Sequence, residues 1–181
     1  MQFPNSAYSG YSKPEDVLRQ SLLVAEKRYG ERVHEVDFTV EIDKKGPIAV
    51  VYHNQELSKA TVHIRAGSDD TNQQKFQLAL EGFHLLSPVL RHKVTFLEEG
   101  MSQIFALSET VGLLPSDDVH YKEAHALCKS LEKACGDDIV RRLRKKQRYI
   151  SRITPDEIIA LCPGFPRKDA EHLCKPWPYY Q

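Results

Sequence analysis

Three ionisable side chains stand on two segments that are otherwise strongly apolar. Glu81 and His84 lie in the run QQKFQLALEGFHLLS, and Glu99 lies in the run TFLEEGMSQIFALS. One helical face carries Gln77, Glu81 and His84, which lie within about 60° of each other on a helical wheel. Burying a carboxylate or an imidazolium without a partner costs several kcal/mol. We therefore expect these groups to face one another, a metal ion, or water in a cleft, where they could do acid–base or metal-ligand chemistry.

The two segments predict consecutive helices over residues 72–87 and 95–108, joined by a short link at residues 88–93. The first is apolar on most of its circumference, which is typical of a helix that is buried on nearly every side. The second repeats the arrangement, with a narrow polar row at Thr95, Glu99 and Ser102. We expect this helix pair to form the centre of the core.

The strings L-E-G-F-H at residues 80–84 and F-L-E-E-G at residues 96–100 resemble the gluzincin metallopeptidases, especially the small single-domain minigluzincins. In those families the first helix carries H-E-x-x-H. Its two histidines bind zinc and its glutamate activates the bound water. The second helix supplies a glutamate as the third zinc ligand, within an E-E-G motif.

The resemblance assigns roles residue by residue. Glu81 matches the general base, His84 the second histidine ligand and Glu99 the glutamate ligand, whereas Leu80 stands where the first histidine should be. The neighbouring Glu98 could replace Glu99, although Gly100 keeps the glycine of the motif after Glu99.

The leucine decides the function that the resemblance implies. A catalytic zinc ion takes three protein ligands and one open position, and only His84 and Glu99 remain. We therefore expect no cofactor and no peptidase activity, with Glu81, His84 and Glu99 left as a buried acid–base cluster. The chain would act as a binding or regulatory module whose cleft is plugged or holds a peptide or protein. The alternative is an active zinc peptidase whose third ligand comes from elsewhere, with His63 and His92 the nearest histidines in sequence.

Three further residues are candidates for the cleft. In the resembled family the strand before the active-site helix runs along the cleft, so His63 and Arg65 on the strand at residues 60–66 could face it; an ordinary solvated strand face is the other interpretation. Gln77 could anchor Glu81 by a hydrogen bond or lie exposed at the helix edge.

Composition limits the remaining classes of function. The chain has 181 residues, which predicts one domain over residues 1–181. Lys plus Arg and Asp plus Glu both number 25, and this balance argues against a nucleic-acid or membrane-surface partner. There is no secretion-signal pattern, no glycine-rich phosphate loop and no G-x-S-x-G elbow. We expect a cytoplasmic protein, and its oligomeric state is not indicated.

Periodicity and helix-start signals predict an α+β fold. Residues 1–13 read as a flexible arm, followed by a helix from Pro14 to Gly30 packed on a small mixed sheet of three to four strands. The strands are expected at residues 33–42, 47–52 and 60–66, the first with these side chains inward: Val36, Phe38, Val40 and Ile42. The active-site-type helix, the glutamate helix and a helical C-terminal half complete the chain. The C-terminal helices are expected over residues 119–134, after Asp137, after Thr154 and over residues 167–174.

Two features of the C-terminal third complete the expectations. Its four cysteines are Cys128, Cys135, Cys162 and Cys174. Two helical turns separate the first two by about 10 Å, too far for a disulfide, and we expect all four to be reduced, buried thiols. The basic run at residues 141–148 is either a solvated helix face or a contact for an acidic partner or a phosphate.

Overall fold

The computed structural model describes residues 13–43, 48–65, 71–111, 113 and 117–180; most of the predicted arm lies outside these ranges. In chain order the helices and strands are α1 (Pro14–Tyr29), β1 (Asp37–Ile42), β2 (Ala49–Tyr52), β3 (Lys59–Ile64), α2 (Thr71–His84), α3 (Phe96–Glu109), α4 (Val119–Cys135), α5 (Ile139–Lys146), α6 (Pro155–Leu161) and α7 (Arg167–Leu173). The α+β class is confirmed. None of the helices in these ranges combines the length and apolar content that crossing a bilayer requires.

The three described strands form one mixed sheet in the order β1-β3-β2. β1 runs parallel to β3, with Asp37 opposite Lys59, and β2 runs antiparallel to β3, with Tyr52 opposite Ala60. The strand immediately before α2 is therefore the central strand, and β2 lies at the edge of the sheet.

Helix α1 begins with Pro14 in its first turn and packs against β1, as predicted. The guanidinium of Arg19 lies 4.7 Å from the ring centroid of Phe38, and Glu15 accepts a hydrogen bond from the backbone of Val40. The helix ends at Gly30, whose φ of +99° is a conformation that side chains disfavour.

Several elements were predicted to be longer than they are, most clearly β1 and α2. β1 starts at Asp37 and not at residue 33, because the amide of Val33 donates to the carbonyl of Leu86 at the end of α2. Ile42, predicted to point inward, is 47% exposed at the far end of the strand. Helix α2 stops at His84, since Pro88 disfavours helical geometry in the residue before it and cannot donate a backbone hydrogen bond.

The centre of the core is the pair α2 and α3, packed against α1. Tyr29, Phe83 and Phe105 meet with ring centroids 5.2 to 6.1 Å apart. In α3 every side chain from Phe96 to Ala106 is buried, including its two glutamates. This helix is therefore enclosed on all sides, as its composition predicts.

The end of the chain folds back onto the start of α3. The amide of Trp177 donates to the carbonyl of Val94 (2.8 Å), and the amide of Phe96 donates to the carbonyl of Lys175 (3.1 Å). Trp177 is fully buried in a small cluster with Val94, Phe96 and Ala124. The tail therefore holds in place the helix turn that carries the two adjacent glutamates.

The basic run is not simply a solvated face. Arg144 is only 4% exposed, and its guanidinium donates to backbone carbonyls at the ends of α1 and α2. Arg148 donates to the carbonyl of Arg32 (2.6 Å). Two cations of the run thus join α5 to the rest of the core, while Arg141, Lys145 and Lys146 are exposed.

The expectation of four reduced cysteines was wrong for one pair. Cys135, at the end of α4, forms a disulfide with Cys162, at the end of α6, with their Cα atoms 5.6 Å apart. Cys128 and Cys174 are free thiols, the first fully buried. The helical spacing excluded a disulfide only between Cys128 and Cys135, which lie on one helix. The packing of α4 against later helices brings Cys135 to Cys162, 27 positions further along the chain.

Candidate functional site

His84 is held between two glutamates of the neighbouring helix. It is the last residue of α2, and its Nδ1–H donates to Oε1 of Glu98 at 3.0 Å. Its Nε2 lies 3.8 Å from Oε1 of Glu99. Both glutamates lie in the first turn of α3, whose N-terminus is capped by Thr95. The predicted meeting of His84 with Glu99 is observed, and Glu98 contacts the same imidazole more closely.

The cluster is deeply buried. Glu98 and Glu99 are 0% exposed, Glu81 4% and His84 9%. Charged groups at this depth are stable only when paired. The imidazole supplies the positive charge that the two glutamates need, and the start of α3 adds a favourable helix dipole.

The surroundings shift two of the proton equilibria strongly. Burial raises the pKa of Glu81 to about 7, and the nearby Glu99 adds to this effect while the charge of His84 opposes it. Burial alone would lower the pKa of His84, but the hydrogen bond to Glu98 and the charges of Glu99 and Glu98 raise it to about 9. At neutral pH His84 is therefore an imidazolium, and Glu81 is protonated more readily than an exposed glutamate.

We expect the imidazole of His84 to titrate near pH 9 in an NMR titration, well above its ordinary value of 6.5. Because the folded-state pKa is raised, the stability that His84 contributes is fully present below pH 6.5 and is lost as the pH rises toward 9. Glu98→Gln removes one negative charge and should lower this pKa by about one unit or more. Titration of His84 at or below 6.5 in the wild-type chain would contradict the described arrangement.

A small cavity of about 30 Å³, large enough for one water molecule, lies beside the cluster. Its described lining consists of Ala49, Val50, Tyr52, Glu81, His84, Val89, Arg91, Val94 and Glu98. The sheet edge β2 thus forms one wall. Arg91, in the link before α3, also lines the cavity and donates from Nη2 to the carbonyl of Ile48 (2.8 Å), next to that strand.

The donors present do not complete a catalytic zinc site. The 3.8 Å between Nε2 of His84 and Oε1 of Glu99 suits two ligands of one ion, but a third protein donor is required. Leu80 has no donor atom, and its side chain lines a separate cavity of about 290 Å³. Within the ranges that the structure describes, no group of three or more His, Cys, Asp or Glu side chains is arranged to hold a metal ion.

Gln77 does not bind Glu81. Its Oε1 accepts from the backbone amide of Arg65 at 2.6 Å, and its Nε2 donates to the carbonyl of the same residue. Gln77 is 2% exposed, so it is not at an exposed helix edge either. It joins α2 to the end of β3, a role that an i, i+4 spacing could not reveal.

The other histidine and arginine candidates lie away from the cluster. His63 is on the central strand, where its Nδ1 lies 3.5 Å from Oε2 of Glu41, and Arg65 is exposed at the strand end. Neither lines the cavity beside His84. His92 is exposed in the link before α3. β3 pairs on both sides and leaves β2 at the edge, so β2 is the strand that contributes to the cavity beside His84. A cleft role for His63 and Arg65 stays a prediction.

Sequence reasoning missed Tyr52 and Arg91 as residues of the site. Tyr52 is half-buried on β2, and burial together with Glu98 and Glu81 raises its pKa, so its hydroxyl stays protonated at neutral pH. Neither residue belongs to a spacing pattern with Glu81. The one available signal was the apolar strand followed by a tyrosine, which did not indicate the edge position.

Comparisons with protein-family models, with curated proteins and with solved structures each find no match to this chain.

Proposed function

We propose that this protein is a catalytically degenerate gluzincin-like metallopeptidase that works as a binding or regulatory module. The observation that carries the proposal is the pairing of His84 with Glu99 across two buried helices, beside a leucine at position 80. The pair has the chemistry and separation of two zinc ligands, while Leu80 takes away the third. Such a site keeps the shape of a peptidase centre without the ion that would activate water.

The surface around the cluster supports a binding role. A cavity of about 680 Å³ adjoins the small one and shares Tyr52 and Val89 with it. This volume lies within the range of roughly 300–1,000 Å³ that is typical of ligand pockets. The edge strand β2 beside it is a type of surface to which an extended peptide can add as a further strand. A peptide or protein segment in this cleft is the proposed partner.

The expected cytoplasmic location stays a prediction. Disulfides are rare in cytosolic proteins, so the bond between Cys135 and Cys162 favours an oxidising compartment instead. Determining whether this disulfide is present in protein taken directly from cells would decide between the two locations.

Leu80→His tests the proposed ancestry directly. Restoring an imidazole at this position should raise zinc affinity at least about a hundredfold over wild type, since losing even an outer-shell partner of a zinc ligand costs roughly 10–100-fold. Zinc content after dialysis and calorimetric titration with zinc measure this. Leu80→Gln is the matched control, because it places a polar but poorly ligating side chain at the same site.

The outcomes distinguish a degenerate zinc site from an active zinc peptidase with an unusual ligand set. A folded Leu80→His variant that gains no zinc over Leu80→Gln would contradict the inherited-site proposal. Stoichiometric zinc in the wild-type chain, lost together with peptidase activity in His84→Ala, would instead establish the active peptidase with an unusual ligand set. In that case Glu81 would be its base, and His84 and Glu99 would be two of its ligands.

A further inference from the structure

A third cavity, of about 290 Å³, is lined in part by Leu80 and does not include His84, Glu98 or Glu99 among its described lining residues. The described residues that line it are Ile48, Gln73, Phe76, Leu80, Gln103, Leu113 and Tyr121. All of them are uncharged, in contrast to the cavity beside His84. Its volume lies at the lower end of small-molecule pockets. The residue that stands in the place of a zinc ligand is thus part of an apolar wall.

Gln103 is an unusual member of this lining. It lies one turn after Glu99 on α3 and is only 2% exposed. Neither Oε1 nor Nε2 of its carboxamide has a hydrogen-bond partner. Buried amides are almost always paired, because an unpaired donor or acceptor loses its hydration without compensation. An unpaired amide in the wall of a cavity points to a ligand that supplies both partners.

We propose that this cavity binds a neutral, mainly apolar molecule or segment that presents an amide N–H and a carbonyl on the same edge. The ligand N–H would donate to Oε1 of Gln103, and the ligand carbonyl would accept from Nε2. A primary amide carries both groups on one edge, and an extended peptide presents them as the N–H and C=O of one residue, because the two groups of a single trans peptide unit point in opposite directions. A charged ligand is disfavoured because no charged side chain among the described lining residues could pair with it. The inference rests on the proposed function only in treating the protein as a binding module, and it names the chemistry that the module recognises.

Access to the amide needs a small side-chain movement. Both carboxamide atoms of Gln103 are almost fully covered, whereas Phe76 and Leu80, which line the same cavity, are only partly buried. Rotamer changes of such side chains are rapid and common on binding. We therefore expect ligand binding to shift the NMR signals of Leu80 together with those of Gln103.

Benzamide is the probe for this cavity. Its binding is monitored through the side-chain amide signals of Gln103 in two-dimensional NMR. We expect a saturable shift of these signals, with a dissociation constant of millimolar order for so small a ligand. Benzoate, which has the same shape and a charge, should bind about tenfold more weakly or not at all. Absence of a saturable shift of Gln103, or equal binding of benzoate, overturns the proposal.

Variants give an independent test. Gln103→Leu removes the amide at similar size, and it should weaken benzamide about tenfold while leaving the binding of toluene unchanged or improved. Leu80→Phe should fill the cavity and abolish the binding of both benzamide and toluene. Gln20→Leu, on α1 and outside the three cavities described above, is the matched control and should bind benzamide as the wild type does. Unchanged benzamide affinity in folded Gln103→Leu would refute the assigned role of this residue.

A capped amino acid, N-acetyl-leucine methylamide, distinguishes the source of the amide. If the capped amino acid binds at Gln103 more tightly than benzamide does, the ligand is a peptide segment. If benzamide binds more tightly, the ligand is a free amide. Failure of both probes overturns this inference without affecting the zinc test of Leu80→His. Failure of the zinc test, in turn, leaves the amide-binding result standing.

Discussion

Replacing Arg144 with methionine is expected to lower the free energy of unfolding by about 3–5 kcal/mol, as for breaking a buried charged pair. The guanidinium donates through Nη1 to the carbonyls of Tyr29 and Gly30 at 3.1 and 2.6 Å. Through Nη2 it donates to the carbonyls of Glu31 and Leu86 at 2.8 and 3.1 Å. Methionine fills similar space but removes all four of these hydrogen bonds, although the carbonyl of Leu86 keeps the one from the amide of Val33.

The matched control is Arg141→Met on the same helix, where the side chain is exposed and substitutions normally change stability by less than about 0.5 kcal/mol. Urea denaturation followed by circular dichroism measures both variants. Burial, together with the charge of Arg148, lowers the pKa of Arg144 to about 10, which is still high enough for the side chain to be charged at neutral pH. An equal decrease in the free energy of unfolding in the two variants would show that Arg144 does not hold α5 against the ends of α1 and α2.

Gly100→Ala is expected to lower the free energy of unfolding by about 3 kcal/mol, at the upper end of overpacking effects. A Cβ at this position would lie 2.5 Å from the carbonyl oxygen of Ala124 and 2.5 Å from Sγ of Cys128. These atoms belong to α4, which therefore approaches α3 closely enough that only glycine fits. The better intrinsic helix propensity of alanine, about 1 kcal/mol, does not offset this clash.

Gly164→Ala is the control, because no heavy atom lies within 4 Å of a Cβ built there. Its unfolding free energy should change by less than about 0.5 kcal/mol. A second measurement concerns the site itself: if Gly100→Ala moves α3, the pKa of His84 should fall, since Glu98 and Glu99 on that helix help to raise it. Wild-type stability in Gly100→Ala would mean that the two helices are farther apart than described.

The role of Gly100 connects the sequence motif with the packing. The glycine follows directly after Glu99, so the helix turn that presents the carboxylate to His84 on one face is held against α4 on the other. A glycine at this point is therefore required by the contact between two helices, whether or not a metal is bound.

Much of the fold could be predicted because it depends on local patterns. Helix starts are marked by Pro14, by Asp118 as a cap and by Thr154 in a capping box, and the observed helices begin where these signals indicate. The alternation of the first strand predicted that Val36 and Phe38 point inward, and both are buried. Errors lie at element ends, where a distant partner such as Leu86 competes for a backbone group of Val33.

The site was predicted in part. The helical period places Glu81 and His84 on one face, and burial requires them to be paired, so a partner on the next helix followed from the sequence. The sequence did not indicate which glutamate accepts the hydrogen bond from His84. Glu98 and Glu99 are adjacent, and the orientation of α3 about its own axis determines which of them faces the imidazole. The role of Leu80 as a cavity wall also depends on that packing.

By itself, the sequence of this protein determined which faces of its helices are buried, where most of them begin, and that Leu80 offers no donor to a metal. These properties depend on residues within a few positions of each other, which share one helix turn or one strand face. Only the tertiary structure decided that Gln77 binds Arg65, that Arg144 joins three helix ends and that Cys135 bonds to Cys162. Each of these contacts spans between 12 and 115 positions of the chain, and at such distances it is the packing of whole helices that determines which groups meet.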